Sequence, residues 1–357
     1  MSIINKLGVA AIALPVAVGG LTLTATSSKA ASVNEYFGID YVNEFVLGTY
    51  KDDSTADSAE NNPEIYAKGE VHFKGQVKTD SGLTIGGEIE FTAESDATNN
   101  IDEIYAYVSG DFGRLEVGDQ DGAADKLDWS VPKVGFGQVD GDYNNFAGND
   151  STVNLGESSD DTKITYYLPK FGNLALGISW APLDDEGSTA EITSGEETDQ
   201  IEVGAKYSMG DITLNGAYYQ ATDNDAGAED HSTWSVGFTY SFGDFKVGAG
   251  HANNGASGQT DANADVNGTT LGATYSDGAM AYGFSVNQTE NSAATGQDQD
   301  TISFGAEYTF EPVVNDSTPV TAVVAADLTM FDRAASTNGA TAGDDGWVAI
   351  LYTSIEF

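Results

Sequence analysis

The sequence predicts an all-β fold, a 16-stranded antiparallel transmembrane β-barrel, on three observations. First, many short stretches alternate bulky apolar with small or polar residues, the two-residue period of a strand. Trp234, Val236, Phe238, Tyr240 and Phe242 alternate with Ser235, Gly237, Thr239 and Ser241. Met280, Tyr282, Phe284 and Val286 do the same, as do Ile302, Phe304, Ala306, Tyr308 and Phe310. A soluble sandwich needs a second apolar sheet facing these residues, whereas apolar outside and small or polar inside is what a barrel in lipid requires. Second, the connections alternate between tight turns and long polar loops. Third, 42 Gly, 17 Tyr, 16 Phe and no Cys suit many short strands and tight turns without a disulfide framework.

The elements follow in order. Residues 1–30 read as an export leader: Lys6, an apolar stretch from Leu7 to Leu23 broken by Pro15, and the small-x-small pattern Ser28-Lys29-Ala30. No later apolar run is long enough for a helical span. Residues 31–357 form one barrel domain. Its strands are expected near 33–50, 64–79, 82–94, 101–110, 112–119, 161–169, 172–181, 199–209, 211–221, 231–242, 244–251, 266–276, 279–289, 299–311, 317–330 and 346–357. Tight-turn chemistry joins them at Asp80-Ser81-Gly82, Gly110-Asp111-Phe112-Gly113, Met209-Gly210-Asp211, Gly243-Asp244 and Ser276-Asp277-Gly278. Long segments rich in Asp, Asn, Ser and Thr join them at the other end, the longest being 120–160. A closed meander leaves no unpaired sheet edge in lipid.

The chain carries 56 acidic and 14 basic residues, net −42; losing Lys6 and Lys29 with the leader makes it −44. Nucleic acid is excluded as a partner, because phosphate attraction needs a basic face. The acidic loops supply candidate structural calcium ligands in Asp223, Asp225, Asp261 and Asp265, although none completes a calcium-loop pattern. No other cofactor is expected. An enzyme is not expected either: the three histidines, His72, His231 and His251, accompany no nucleophile motif.

Residues 101–125 carry a specific pattern. The run Ile101 to Asp119, centred on Phe112-Gly113-Arg114-Leu115-Glu116-Val117-Gly118, resembles the strand–turn–strand of Gram-negative general porins. Lys163 to Gly172 is similar to the family's next hairpin, and the terminal Phe357 to its assembly signal. Val71-His72-Phe73-Lys74-Gly75 followed by Ser81-Gly82-Leu83-Thr84 is similar to the alphaproteobacterial branch. The resemblance implies an outer-membrane location in a Gram-negative bacterium and a passive diffusion channel for ions and small hydrophilic solutes. It implies a homotrimer in contact with lipid and lipopolysaccharide, inserted by the outer-membrane assembly machinery. It also implies that 120–160 folds back into the barrel as a constriction loop. A substrate-selective channel and a secreted adhesive or structural β-protein are the alternatives.

Strand parity points His72, Lys74, Gln76, Lys78, Glu88, Glu90, Arg114, Glu116, Lys163, Lys206 and Lys246 inward, and leaves Tyr105 and Tyr107 unassigned. By resemblance Arg114 belongs to a basic pore wall, with Lys74, Lys78 and Lys163 as further candidates. The facing loop carboxylates are Asp119, Asp121, Asp125, Asp128, Asp140 and Asp142. Opposed charges across a narrow aqueous gap filter ions. The family's stacked arginine wall is absent here, since the only arginines are Arg114 and Arg333, the latter in an expected loop. With the acidic excess, this predicts preference for cations.

Overall fold

The computed structural model describes residues 37–52, 63–94, 100–137, 139, 146, 157–183, 197–260, 264–293, 296–310, 320–336, 338–339 and 342–356. The leader and the expected site residues Asp140, Asp142, Asp261 and Phe357 lie outside them. The strands are β1 (Phe37–Asp52), β2 (Glu64–Lys78), β3 (Thr84–Glu94), β4 (Asn100–Gly110), β5 (Gly113–Asp119), β6 (Thr162–Tyr167), β7 (Leu174–Leu183) and β8 (Glu197–Met209). They continue with β9 (Ile212–Asp223), β10 (His231–Phe242), β11 (Phe245–Gly255), β12 (Val266–Asp277), β13 (Met280–Asn291), β14 (Gln299–Phe310), β15 (Thr321–Arg333) and β16 (Asp344–Glu356). A short helix, α1 (Ala123–Leu127), lies between β5 and β6.

Each strand pairs antiparallel with its sequence neighbour, and β1 closes on β16 from Val42↔Glu356 to Asp52↔Gly346. Closure hydrogen-bonds every strand on both sides, the condition for a sheet in hydrocarbon. At the tight-turn end Gly210 (φ 60°) and Gly243 (φ 57°) occupy the left-handed region that short hairpins demand. Parity holds as expected: Trp234, Val236, Phe238, Tyr240 and Phe242 are exposed on the outside of the barrel, while Thr233 and Ser235 are buried inside. The outward face is thus an apolar surface of the kind a barrel presents to lipid.

Two features depart from the expected layout. Arg333 ends β15 instead of lying in a loop, and inside the barrel it pairs with Asp344 at 2.8 Å. A β-bulge interrupts the β3–β4 ladder, where Ile89 faces Ile104 but Phe91 faces Ile101. Two residues of β4, Asp102 and Glu103, thus stand opposite Glu90, and the usual alternation is lost between them. One apolar cluster lies inside the barrel: Val46, Phe331, Val348 and Ile350 pack with Phe146 of segment 120–160, flanked by Tyr66, Phe136 and Tyr352.

Candidate functional site

The described part of segment 120–160 runs along the inner wall, and backbone-to-side-chain contacts seat it there. α1 packs on β6–β9. The Ala123 N–H donates to Ser179 Oγ at 2.7 Å, and the Ala124 N–H to Glu202 at 3.0 Å. Glu202, fully buried, also accepts from the Ser158 N–H (2.7 Å) and hydroxyl (2.6 Å), so one carboxylate ties both ends of the loop to β8. Farther along, the Phe136 and Gly137 N–H groups donate to Asp327 of β15 at 2.8 and 3.3 Å.

At its glycines the wall beneath the loop has no room for a side chain. A Cβ on Gly250 would sit 1.7 Å from the Trp129 ring, and one on Gly204 2.0 Å from the Ala123 carbonyl oxygen. Asp128 and Lys133 of the loop line a polar cavity of about 600 Å³ together with Lys206, Asp211, Asn215 and Lys246.

The inward side of β2–β5 differs. Here Lys68, Lys74, Lys78 and Arg114 stand among Glu70, Glu88, Glu90, Asp102, Glu103 and Glu116. Lys74 bridges Asp40 (2.9 Å) and Glu88 (3.3 Å), and Lys68 pairs with Glu70 at 2.7 Å. Arg114 pairs with Glu116 and lies over the Tyr107 ring, 3.5 Å from its centroid. Tyr105 and Tyr107, which the alternation left unassigned, point inward: their hydroxyls donate to Glu88 at 2.9 Å and to Gln76 at 3.0 Å. Lys78, near the tight-turn end, is exposed.

The expected site residues divide accordingly. Lys74, Lys78 and Arg114 share the uncovered wall. Lys163 points inward but is 1% exposed, so its expected place as a pore-lining base is corrected. The loop's ends cover it, and its ammonium donates to the carbonyls of Gln120, Ser158 and Ser159. Asp128 is likewise an anchor: its carboxylate accepts from the Ser235 hydroxyl and from the Trp129 N–H at 2.7 Å. Asp119 ends β5, where Thr162 donates to it. Asp121 and Asp125 remain as loop carboxylates toward the lumen.

Sequence reasoning missed Glu103 and Asp160, which lie with Asp121 so that one oxygen of each falls within 4.8 Å of the others. Only the bulge, invisible to a two-residue period, explains Glu103. Burial raises Asp160 to about 7, reinforced by the charges of Asp121, Asp102 and Glu103. Burial also raises Asp125 and Asp128 above the usual carboxylate range.

The candidate calcium ligands serve as local acceptors: Asp223 takes the Asp225 N–H at 2.7 Å and Asp265 the Asn253 amide at 3.1 Å. Among the described residues, the groupings able to hold a metal lie elsewhere.

A closed 16-strand barrel with a loop seated inside it leaves a polar lumen as the candidate site. A family model for Gram-negative porins matches residues 13–316. The chain belongs to the Gram-negative porin family. A porin of Rhodobacter capsulatus is 27% identical over 161 residues, 44% of this chain. The match spans only 50% of that relative's length. Among solved structures, a triple mutant of the Rh. blastica porin superposes with a TM-score of 0.60 at 17% identity, covering 90% of this porin and all of that chain. An anion-selective porin from Comamonas acidovorans gives 0.64 at 17% identity, covering 89% of this chain and 99% of that one. At such identity these likenesses speak for the fold alone.

Proposed function

We propose that this porin is a passive, cation-preferring diffusion channel for ions and small hydrophilic solutes, exported through its 1–30 leader and assembled as a homotrimer. The observation that carries the preference is the composition of the uncovered wall. Four bases face six carboxylates there, and three of the four bases are already paired with acids. The loop adds Asp121 and Asp125 to the same aqueous space, against one base, Lys126, which pairs with Glu103 at 4.0 Å. An unpaired carboxylate excess in a confined lumen raises the local concentration of cations and depletes anions. An anion-selective protein shares the fold, so the sign of selectivity comes from the side chains and not from the architecture.

The test is planar-bilayer conductance of the detergent-purified protein, with reversal potential taken under a salt gradient. Large ohmic steps in threes with a cation-favouring potential are the expected result. An anion-favouring potential overturns the preference, and small steps blocked by one solute assign a substrate-selective channel instead.

A further inference from the structure

The uncovered wall holds one imidazole among its carboxylates, that of His72. His72 of β2 faces Glu90 of β3 in register, with Glu70 two residues before it on the same face. His72 Nδ1 lies 3.0 Å from Glu88 Oε1 and 3.1 Å from Glu90 Oε2, and Nε2 lies 3.7 Å from Glu70 Oε2. One ring nitrogen and one oxygen from each of Glu70 and Glu90 fall within 4.8 Å of one another. Nδ1 carries at most one proton, yet two carboxylate oxygens converge on it, so acceptors outnumber the hydrogens available. Glu90 is only 9% exposed, and His72 is the sole basic group within 4.0 Å of it among the described residues. The other carboxylates are held from outside the cluster, Glu70 by Lys68 at 2.7 Å and Glu88 by the Tyr105 hydroxyl at 2.9 Å. Such outer partners orient metal ligands.

We propose that Glu70, His72 and Glu90 form a lumenal binding site for a divalent transition-metal ion of the zinc or copper class. Imidazole selects these ions, whereas magnesium and calcium favour all-oxygen sets. Tetrahedral zinc bonds of about 2.1 Å place ligand atoms about 3.4 Å apart, within the span these side chains already occupy. The proposal rests on the inward face of the barrel and not on cation preference.

Isothermal titration of the folded, detergent-solubilised porin with ZnCl2 and separately with MgCl2 tests it. Tighter zinc than magnesium binding is expected. His72→Gln and Glu90→Gln should each weaken zinc by about tenfold or more while leaving magnesium nearly unchanged. Equal affinity for the two ions overturns the site, as does wild-type zinc affinity in a heat-modifiable, correctly folded His72→Gln protein. Should both variants fail to fold, Cu2+ electron-spin-echo spectra of a His231→Gln/His251→Gln protein decide. Retained imidazole-nitrogen coupling supports the site, and its loss overturns it. Neither readout needs conductance, so failure here is distinct from failure of the selectivity proposal.

Discussion

The inward faces of β2–β5 and of β7–β12 border the same lumen but differ in how much room they leave beside the backbone. On β2–β5, Lys74, His72, Glu88, Tyr105 and Arg114 are large, charged or aromatic, and most of the bases are paired with carboxylates that outnumber them. On β7–β12, Gly204, Gly237, Gly250 and Ser235 stand among Glu202, Lys206 and Lys246, and the backbone, Trp129 and Pro132 of the infolded loop occupy the space that side chains at the glycines would take. Both faces are polar enough to be lumenal. Glycine at the contact positions, more than polarity, marks the wall that receives the loop.

That contrast breaks most directly at Gly250. A leucine there meets the Trp129 ring, and overpacking of this kind costs about 1–3 kcal/mol. Gly250→Leu is expected to displace the loop from the wall, with a shift in Trp fluorescence and an altered single-channel conductance. Gln76→Leu, an enlargement of the apolar content on the uncovered wall, should leave both readouts near wild type while removing the Tyr107 hydrogen bond. If the two variants behave alike, the division between walls fails.

Glu202 tests the same seat electrostatically. Glu202→Gln keeps the volume but removes the charge that strengthens three accepted hydrogen bonds, and it presents an amide N–H₂ where acceptors are needed. The expected loss is about 2–3 kcal/mol of loop anchoring, within the range for hydrogen bonds to charged groups. Limited proteolysis should then cut within 120–160 faster than in the wild type, while the heat-modifiable barrel band persists.

The barrel was legible in the sequence because its determinants are local. A two-residue period fixes which side chains face lipid, and Gly–Asp turns mark one end of the sheet; together they place the strands and put Lys74, Glu88 and Arg114 inside. The loop's seat was not legible. Phe136 reaches Asp327, and Ala124 reaches Glu202, across separations that no periodicity records. Lys163 follows the same logic: parity points it inward, but only the chain folded over it shows that it binds carbonyls instead of facing solute. The family resemblance supplied the existence of an infolded loop, and the bulge at Ile89 and Phe91 supplied the Glu103 carboxylate that parity hides.

Where loop and uncovered wall meet, Asp160 gives a pH dependence with a definite sign. Its value in the folded protein, about 7, lies above the ordinary aspartate value of about 3.9. The folded state therefore holds the proton more tightly, and the group's contribution to stability is lost as pH rises from about 4 through 7. Over the same interval the lumen gains a negative charge. The cation-to-anion permeability ratio is thus expected to increase as pH is raised through about 7, and Asp160→Asn should flatten both that increase and the accompanying decline in thermal stability. Reversal potentials and melting curves across the pH range check each.

Arg114 is expected to have the smallest effect. Its guanidinium is paired with Glu116 and stacked on Tyr107, so it contributes little net positive charge to the aqueous space. Arg114→Gln frees the Glu116 carboxylate and should raise the cation-to-anion permeability ratio by less than about twofold, most clearly at low salt where screening is weakest. Arg114→Gln combined with Glu116→Gln should return the ratio to near its starting value, because the pair is removed as a neutral unit. A large loss of anion permeability in the single variant would mean that Arg114 acts as an unpaired positive charge, and the uncovered wall would then resemble a basic wall more than one with a carboxylate excess.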